Sequence, residues 1–181
     1  QVLKEHPADF LALSYYYTCV SSKECNDTQD INDDGAIVNP YIDASEWGWG
    51  IDPLGLRTVL NYYYDRYQKP IYITENGSGF YGFGTYDEIS SDGKIHDERR
   101  IAYLREHIRN VKEAIMDGVD VIGYYPWGPI DIISCSSSEM SKRYGFIYVD
   151  QDDYGNGSKR RIKKDSYDWY RSVIASNGED L

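Results

Sequence analysis

Three short runs of apolar residues stand out along the chain. They cover residues 9–17, 71–75 and 119–127, and polar or turn-forming residues bound each of them. Because apolar and aromatic side chains occupy both alternating positions, the runs predict β-strands that are buried on both faces. The runs are also too short for ordinary helices.

Helical spacing of apolar residues follows each run. The first helical stretch, residues 52–69, lies between an Asp-Pro pair that suits a helix start and a Lys-Pro pair that stops it. The second covers residues 97–117, and a glycine ends it. We expect Asp165 or Ser166 to cap a third and final helix. The basic run at residues 159–164 is interpreted as a solvated approach to this last helix.

The order of these elements predicts an α/β fold. Continuously apolar strands that alternate with helices are typical of parallel strands covered by helices. An open doubly wound sheet fits the same order, but no glycine-rich phosphate turn joins a strand to a helix. Long polar loops follow the strands instead, at the end where a (β/α)8 barrel carries its active site. The pattern therefore predicts about three of the eight βα units of a TIM barrel.

The extent of this domain is a further expectation. Residues 1–181 are expected to form the C-terminal part of a single catalytic barrel domain. The chain begins with Gln1 rather than Met, which favours a natural N-terminus elsewhere. The expected partner of this chain is then the N-terminal remainder of the same barrel.

Charge and composition exclude several classes of function. The formal net charge of −11 argues against nucleic acid and against anionic membrane surfaces. No apolar run approaches the ~18 residues of a transmembrane helix, and no signal peptide is visible. Cys19, Cys25 and Cys135 match no zinc pattern, which favours free thiols in a reducing, cytoplasmic setting. A disulfide between the first two is the alternative. The three histidines show no metal-ligand spacing, so no metal or cofactor is expected.

Glu75 is the first candidate for chemistry. It ends the second predicted strand, within the sequence Ile-Thr-Glu-Asn-Gly of residues 73–77. A carboxylate at the C-terminal end of a barrel strand points into the barrel mouth, where it could attack a glycosidic carbon. From spacing alone, an ordinary strand-end glutamate before an Asn-Gly turn is the simpler interpretation.

A family resemblance reverses that balance. Residues 73–77 resemble the nucleophile motif of glycoside hydrolase family 1, the β-glucosidase family of TIM barrels. In the same order along the chain, residues 9–16 resemble its sixth strand, residues 52–56 the helix that follows, and residues 123–128 its eighth strand. The resemblance implies a retaining β-glycosidase with Glu75 as its catalytic nucleophile.

The same resemblance implies roles for aromatic residues. Tyr16 matches the family tyrosine that hydrogen-bonds the nucleophilic carboxylate, and Trp127 matches the tryptophan that forms an apolar floor under the sugar. Ser14 stands where the family commonly has Asn, which puts one polar contact near the site in question. Trp47 and Trp49 resemble a structural stretch of the family and are interpreted as packing residues.

The serine-rich loop at residues 134–146 carries the substrate prediction. It resembles the phosphate-binding loop of the family's 6-phospho-glycosidases, and Ser136, Lys142 and Tyr144 match the residues that bind the sugar 6-phosphate. The resemblance implies a phosphorylated β-glucoside substrate and release of glucose 6-phosphate. Cys135 stands where the galactosidases carry Trp, which favours a glucoside. Glu139 is expected to face solvent. Without the resemblance, a solvated surface turn is clearly the simpler interpretation of this loop.

One catalytic group is missing from the sequence. Retaining hydrolysis needs a second carboxyl group about 5–5.5 Å from the nucleophile. The family takes its acid/base from a Thr-x-Asn-Glu-Pro motif, and no Asn-Glu-Pro occurs in this chain. We therefore expect the isolated chain to be inactive. A phospho-sugar-binding module without catalysis, a plain β-glucosidase and a 6-phospho-β-galactosidase remain the alternative functions.

Overall fold

A computed structural model describes residues 5–21, 31–32, 34–80 and 87–181. Within them the three predicted strands form one parallel sheet, in the order of the chain. The strands are β1 (Leu11–Tyr15), β2 (Ile71–Asn76) and β3 (Val121–Pro126). Each strand lies inside its predicted run or extends one residue beyond it. The agreement is close because a run of apolar residues can be recognised in the local sequence.

Helices cover the sheet at the predicted places. They are α1 (Pro53–Tyr67), α2 (Glu98–Met116) and α3 (Asp165–Ala175). At the start of α1 the carboxylate of Asp52 accepts a hydrogen bond from the backbone N–H of Gly55 at 2.9 Å, so the predicted cap is confirmed.

The predicted cap of α3 is wrong. Lys164 occupies the N-cap position, and no side-chain cap hydrogen bond forms there. The carboxylate of Asp97 accepts from the backbone N–H of Ser166 at 2.9 Å and also binds the Ser166 hydroxyl. Asp165 contacts His96 instead. A carboxylate from the start of α2 therefore satisfies the α3 terminus, which local sequence cannot reveal.

Apolar side chains between the sheet and the helices form the first core cluster. Leu56 and Leu60 of α1 pack on Ile71 and Ile73 of β2, and all four are 0% exposed. Burying one such side chain contributes roughly 1.5–3 kcal/mol. This packing fixes β2 between its neighbours and holds its carboxyl end in place.

A second cluster lies between α2, α3 and a short hairpin. The hairpin pairs β4 (Ile147–Val149) with β5 (Arg161–Lys163) in antiparallel register. The rings of Phe146 and Tyr170 stack here at 4.9 Å between centroids. The sequence predicts an extended segment over 144–150, and it does not predict the second strand.

The solvated interpretation of the basic run fails at its last residue. Lys164 is 1% exposed, and its ammonium donates to Asp87 at 2.6 Å and to Asp131 at 2.7 Å. Burial, together with the nearby Arg100, lowers the pKa of Lys164, and the two carboxylates oppose that shift. Residues 159–161 and Lys163 are exposed as expected.

Two further observations bear on the sequence expectations. Cys19 and Cys135 are exposed free thiols, whereas Cys25 lies outside the described residues, so the alternative disulfide stays untested. Among the helices of the described segments, none combines the length and apolar character needed to cross a bilayer.

Candidate active site

The carboxyl ends of the three parallel strands meet at one edge of the sheet. Ser14 pairs with Glu75 across β1 and β2, and Asn76 pairs with Pro126 across β2 and β3, so the strand ends lie level. The residues at or just beyond these ends are Tyr16, Glu75 and Trp127, and all three line one pocket of about 380 Å³. The three residues that the sequence analysis assigns to one site therefore line the same pocket.

Tyr16 contacts Glu75 directly. Its hydroxyl donates a hydrogen bond to Oε2 of Glu75 at 2.8 Å. Burial raises the pKa of Tyr16 well above its usual range, and the hydrogen bond and charge of Glu75 raise it further. The tyrosine therefore stays protonated and remains a donor to the carboxylate. Such a charge-assisted bond restrains the orientation of the carboxylate.

Asn76 anchors the strand end behind Glu75. It is 0% exposed, and its amide donates to the carbonyl oxygen of Tyr15 at 2.8 Å. The hydroxyl of Tyr124 donates to its Oδ1 at 2.7 Å. The hydroxyl of Tyr103 accepts from the amide and donates to the carbonyl of Tyr16 at 3.0 Å. The sequence predicts only a turn at Asn76 and does not reveal this network between the strands.

Trp127 is held close to the carboxyl end of β2. Its backbone N–H donates to the carbonyl of Asn76 at 2.7 Å. A side chain at Gly77 would bring a Cβ within 3.2 Å of the Trp127 Cβ, so glycine permits this approach. The edge of the indole meets the ring of Tyr144, with centroids 6.4 Å apart. These contacts set the indole against both the strand end and the serine loop.

The serine loop brings its three predicted residues together. The ammonium of Lys142 donates to Oγ of Ser136 at 3.4 Å, and Ser136 lies 3.2 Å from Oγ of Ser134. The hydroxyl of Tyr144 donates to the same Ser134 oxygen at 3.4 Å. The buried Ser134 therefore joins the set, although no feature of the sequence distinguishes it from its neighbouring serines.

The loop residues lie at different depths. Ser134, Cys135, Ser136 and Tyr144 line the same pocket as Glu75. Lys142 is 1% exposed and sits behind that wall. The predicted phosphate-binding residues are therefore adjacent to the candidate nucleophile, and the lysine reaches the pocket through Ser136.

Interpreting the two loop tryptophans as packing residues is incomplete. Trp49 lines the pocket and meets Tyr16 edge-on, with ring centroids 5.7 Å apart. The ammonium of Lys142 lies 4.8 Å from the ring centroid of Trp47 and 5.3 Å from that of Trp49. Both distances fall within the range of a cation–π interaction.

Two acidic residues lie in the loops around the pocket. Asp34, in the long loop after β1, lines the pocket and accepts a hydrogen bond from the hydroxyl of Tyr17 at 2.9 Å. The long polar loop favours a functional position, but no spacing singles out Asp34. Glu139, expected to face solvent, is half-buried, and its carbonyl accepts from the backbone N–H of Ser134 at 2.9 Å.

A buried arginine connects the two sides of the pocket from behind. Arg100 of α2 is 3% exposed and donates to the carbonyl of Ser78, just after β2, at 3.0 Å. The same nitrogen donates to the carbonyl of Tyr144 at 3.0 Å. Asp87 accepts from Arg100 at 2.6 Å and also binds Lys164. The segment after β2 and the serine-rich loop are therefore hydrogen-bonded to the same buried arginine.

Comparison with known proteins identifies relatives of this chain. The model of glycosyl hydrolase family 1 matches residues 1–179. Aryl-phospho-beta-D-glucosidase BglH of Bacillus subtilis (strain 168) is 51% identical over 183 residues, which cover 100% of this chain and 38% of that protein. 6-phospho-beta-glucosidase AscB of Escherichia coli (strain K12) is 51% identical over 183 residues, with 100% and 37% covered. The chain thus spans less than two-fifths of the length of these curated relatives.

Solved structures agree with the sequence relatives. The beta-glucosidase from Thermotoga maritima in complex with noeuromycin superposes with a TM-score of 0.77 at 33% identity, covering 94% of this chain and 35% of that chain. The predicted fold, a portion of a (β/α)8 barrel with three βα units, is confirmed. Together with the family match over residues 1–179, this shows that the chain belongs to glycosyl hydrolase family 1.

Proposed function

We propose that this chain forms the nucleophile and phosphate-binding part of a retaining 6-phospho-β-glucosidase. The observation that carries the proposal is the single pocket that holds Glu75 together with Ser136 and Tyr144. Relatives named as phospho-β-glucosidases, about half identical to this chain, support the same substrate class.

Glu75 is the nucleophile in this proposal. Its carboxylate attacks the anomeric carbon, a glycosyl ester forms, and the aglycone oxygen leaves with a proton from the acid/base. Water then attacks the same carbon, gives its proton to the acid/base and releases Glu75. Tyr16 holds Oε2 of the carboxylate, so attack uses Oε1. The products are glucose 6-phosphate and the free aglycone.

The pocket walls divide substrate binding between them. Trp127 supplies a flat apolar surface that suits the C–H face of a pyranose. Ser136 and Tyr144 donate hydroxyl hydrogen bonds to the 6-phosphate, and Lys142 adds a compact positive charge. The small side chain of Cys135 leaves room for the equatorial 4-hydroxyl of a glucoside. Because the formal net charge of the chain is −11, attraction of the phosphate must be local.

The acid/base lies outside this chain in the proposal, because no Asn-Glu-Pro motif occurs in the sequence. The purified 181-residue chain should then hydrolyse neither phosphorylated nor plain aryl β-glucosides. Measurable turnover that is lost on Asp34→Asn would make Asp34 the second carboxylate and overturn this assignment. The second candidate function is a phospho-sugar-binding module without catalysis. Hydrolysis by the natural protein that contains this sequence would reject the module.

The substrate class has a direct test. In the natural protein that contains this sequence, kcat/KM is measured on 4-nitrophenyl β-glucoside with and without the 6-phosphate. Charge-assisted hydrogen bonds contribute about 1.5–3 kcal/mol, so Lys142→Ala should lower kcat/KM on the phosphorylated substrate roughly ten- to a hundredfold. The loss on the plain glucoside should be much smaller. Preference of the wild type for the unphosphorylated sugar would leave a plain β-glucosidase with a serine-rich loop.

A further inference from the structure

The ammonium of Lys142 is held between aromatic faces. It lies 4.8 Å from the ring centroid of Trp47 and 5.3 Å from that of Trp49, and the lysine is 1% exposed. Attraction of a cation to an indole face strengthens when water is excluded. The two rings therefore contribute to the position of the Lys142 ammonium.

The hydrogen bond from the Lys142 ammonium to the pocket is long. Its distance to Oγ of Ser136 is 3.4 Å, beyond the usual range for a strong N–H···O bond. An aromatic face attracts a cation without cancelling its net charge. The indoles thus stabilise Lys142 in a way that is compatible with binding a phosphate.

A tight turn presents the two indoles. The N–H of Gly48 donates to the carbonyl of Ser45 at 2.8 Å, and the N–H of Ser45 donates to the carbonyl of Trp49 at 2.8 Å. Gly48 has a φ of 74°, which glycine adopts without strain. The turn therefore directs both rings to the same ammonium.

The two tryptophans differ in a way that permits a test. Trp49 lines the pocket with Glu75, so its replacement changes the pocket wall. Trp47 does not line that pocket and borders a separate surface hollow beside Asn32 and Val38. A substitution at Trp47 can therefore change the hold on Lys142 while leaving the residues around Glu75 in place.

We propose that Trp47 is a positioning residue that determines specificity: with Trp49 it holds the Lys142 ammonium beside Ser136 and so sets the preference for a phosphorylated sugar. The proposal rests on the function proposed above. Trp47 acts through Lys142 and does not touch the reacting atoms. Selectivity for the phosphorylated sugar should then depend on the side chain of Trp47, which lies outside the pocket wall.

The test compares selectivity between matched variants of the natural protein that contains this sequence. The quantity is the ratio of kcat/KM on 4-nitrophenyl β-glucoside 6-phosphate to that on the plain glucoside. Trp47→Leu should lower this ratio roughly five- to thirtyfold, the effect of losing a desolvated cation–π contact. Trp47→Phe, which keeps an aromatic face, should recover most of the ratio.

Trp169→Leu is the matched control. It also removes an indole from a cation, since Arg105 lies 5.7 Å from the Trp169 ring centroid, and Trp169 does not line the pocket. This variant should leave the ratio unchanged. An unchanged ratio in Trp47→Leu, with a wild type that prefers the phosphorylated sugar, overturns the role of Trp47 and leaves the proposed function standing. A wild type without that preference overturns both.

Discussion

The two sides of the candidate pocket are built differently. At the strand end, the hydroxyls of Tyr16 and Tyr124 make hydrogen bonds of 2.8 and 2.7 Å to Glu75 and Asn76. In the serine-rich loop, the contacts among the side chains of Ser134, Ser136, Lys142 and Tyr144 measure 3.2–3.4 Å. Short bonds from rigid strands hold a carboxylate in one orientation, whereas long contacts between hydroxyls are weak.

This difference matches the two tasks proposed for the pocket. A nucleophile gains from a fixed position before the substrate arrives. Groups that bind a phosphate must exchange their mutual contacts for the ligand's oxygens, and weak contacts are given up at little cost. Variants at the strand end should therefore affect every substrate, and variants in the loop should affect the phosphorylated one.

The largest expected effect belongs to Glu75→Gln. The amide is a poor nucleophile and cannot form the glycosyl ester, so kcat should fall by at least about three orders of magnitude on both substrates. Glu139→Gln, a half-buried glutamate that does not line the pocket, serves as the control and should stay active. Steady-state rates on both aryl glucosides measure the effect. A near-normal rate for Glu75→Gln would remove Glu75 from its role.

Acid should destabilise the strand-end side through His107. This residue is 0% exposed, its ring stacks on Tyr103 at 3.9 Å, and burial lowers its pKa to about 4. The unfolded chain takes up a proton near pH 6.5, so stability falls as the pH drops from about 6.5 to about 4. The loss should be about 3 kcal/mol, at ~1.4 kcal/mol per pKa unit.

Urea unfolding at pH 7, 5.5 and 4 measures that loss. His107→Gln removes the titrating group, and its free energy of unfolding should change less with pH over this range. Parallel pH profiles for the variant and the wild type would show that His107 does not couple to folding.

A smaller pair of effects separates the two sides directly. Tyr16→Phe removes a bond to a charged carboxylate and should lower kcat/KM roughly ten- to a hundredfold on both substrates. Tyr144→Phe removes a neutral hydroxyl whose contact to Ser134 is 3.4 Å, and it should lower kcat/KM a few-fold, on the phosphorylated substrate only. Equal losses on both substrates for Tyr144→Phe would contradict the division between the two sides.

The elements of the fold follow from the sequence more readily than the details of the site. Strands β1, β2 and β3 are predicted because a run of apolar residues is a local pattern, and the helices are predicted because helical spacing is local as well. Glu75, Tyr16 and Trp127 fall at strand ends, so the strand prediction carries them to one edge of the sheet.

Other residues could not be found in this way. Asp34, Trp49 and Ser134 reach the pocket from loops, whose path depends on tertiary contacts. Lys164 lies in a basic run whose composition is typical of an exposed segment. It is nevertheless buried, because Asp87 and Asp131, from distant parts of the chain, form ion pairs with its ammonium. Pairings over such sequence distances leave no periodic signal.

The most direct test of the account is to trap the covalent intermediate. The reagent is an aryl β-glucoside 6-phosphate that carries fluorine at C2 and a reactive leaving group. With this reagent, release of the sugar from the enzyme is slowed more than its attachment to the enzyme. The natural protein that contains this sequence is incubated with it, digested and analysed by peptide mass spectrometry. We expect one added 2-fluoroglucosyl 6-phosphate on Glu75. The same label on Asp34 or another carboxylate, or turnover with inversion and no label, would contradict it.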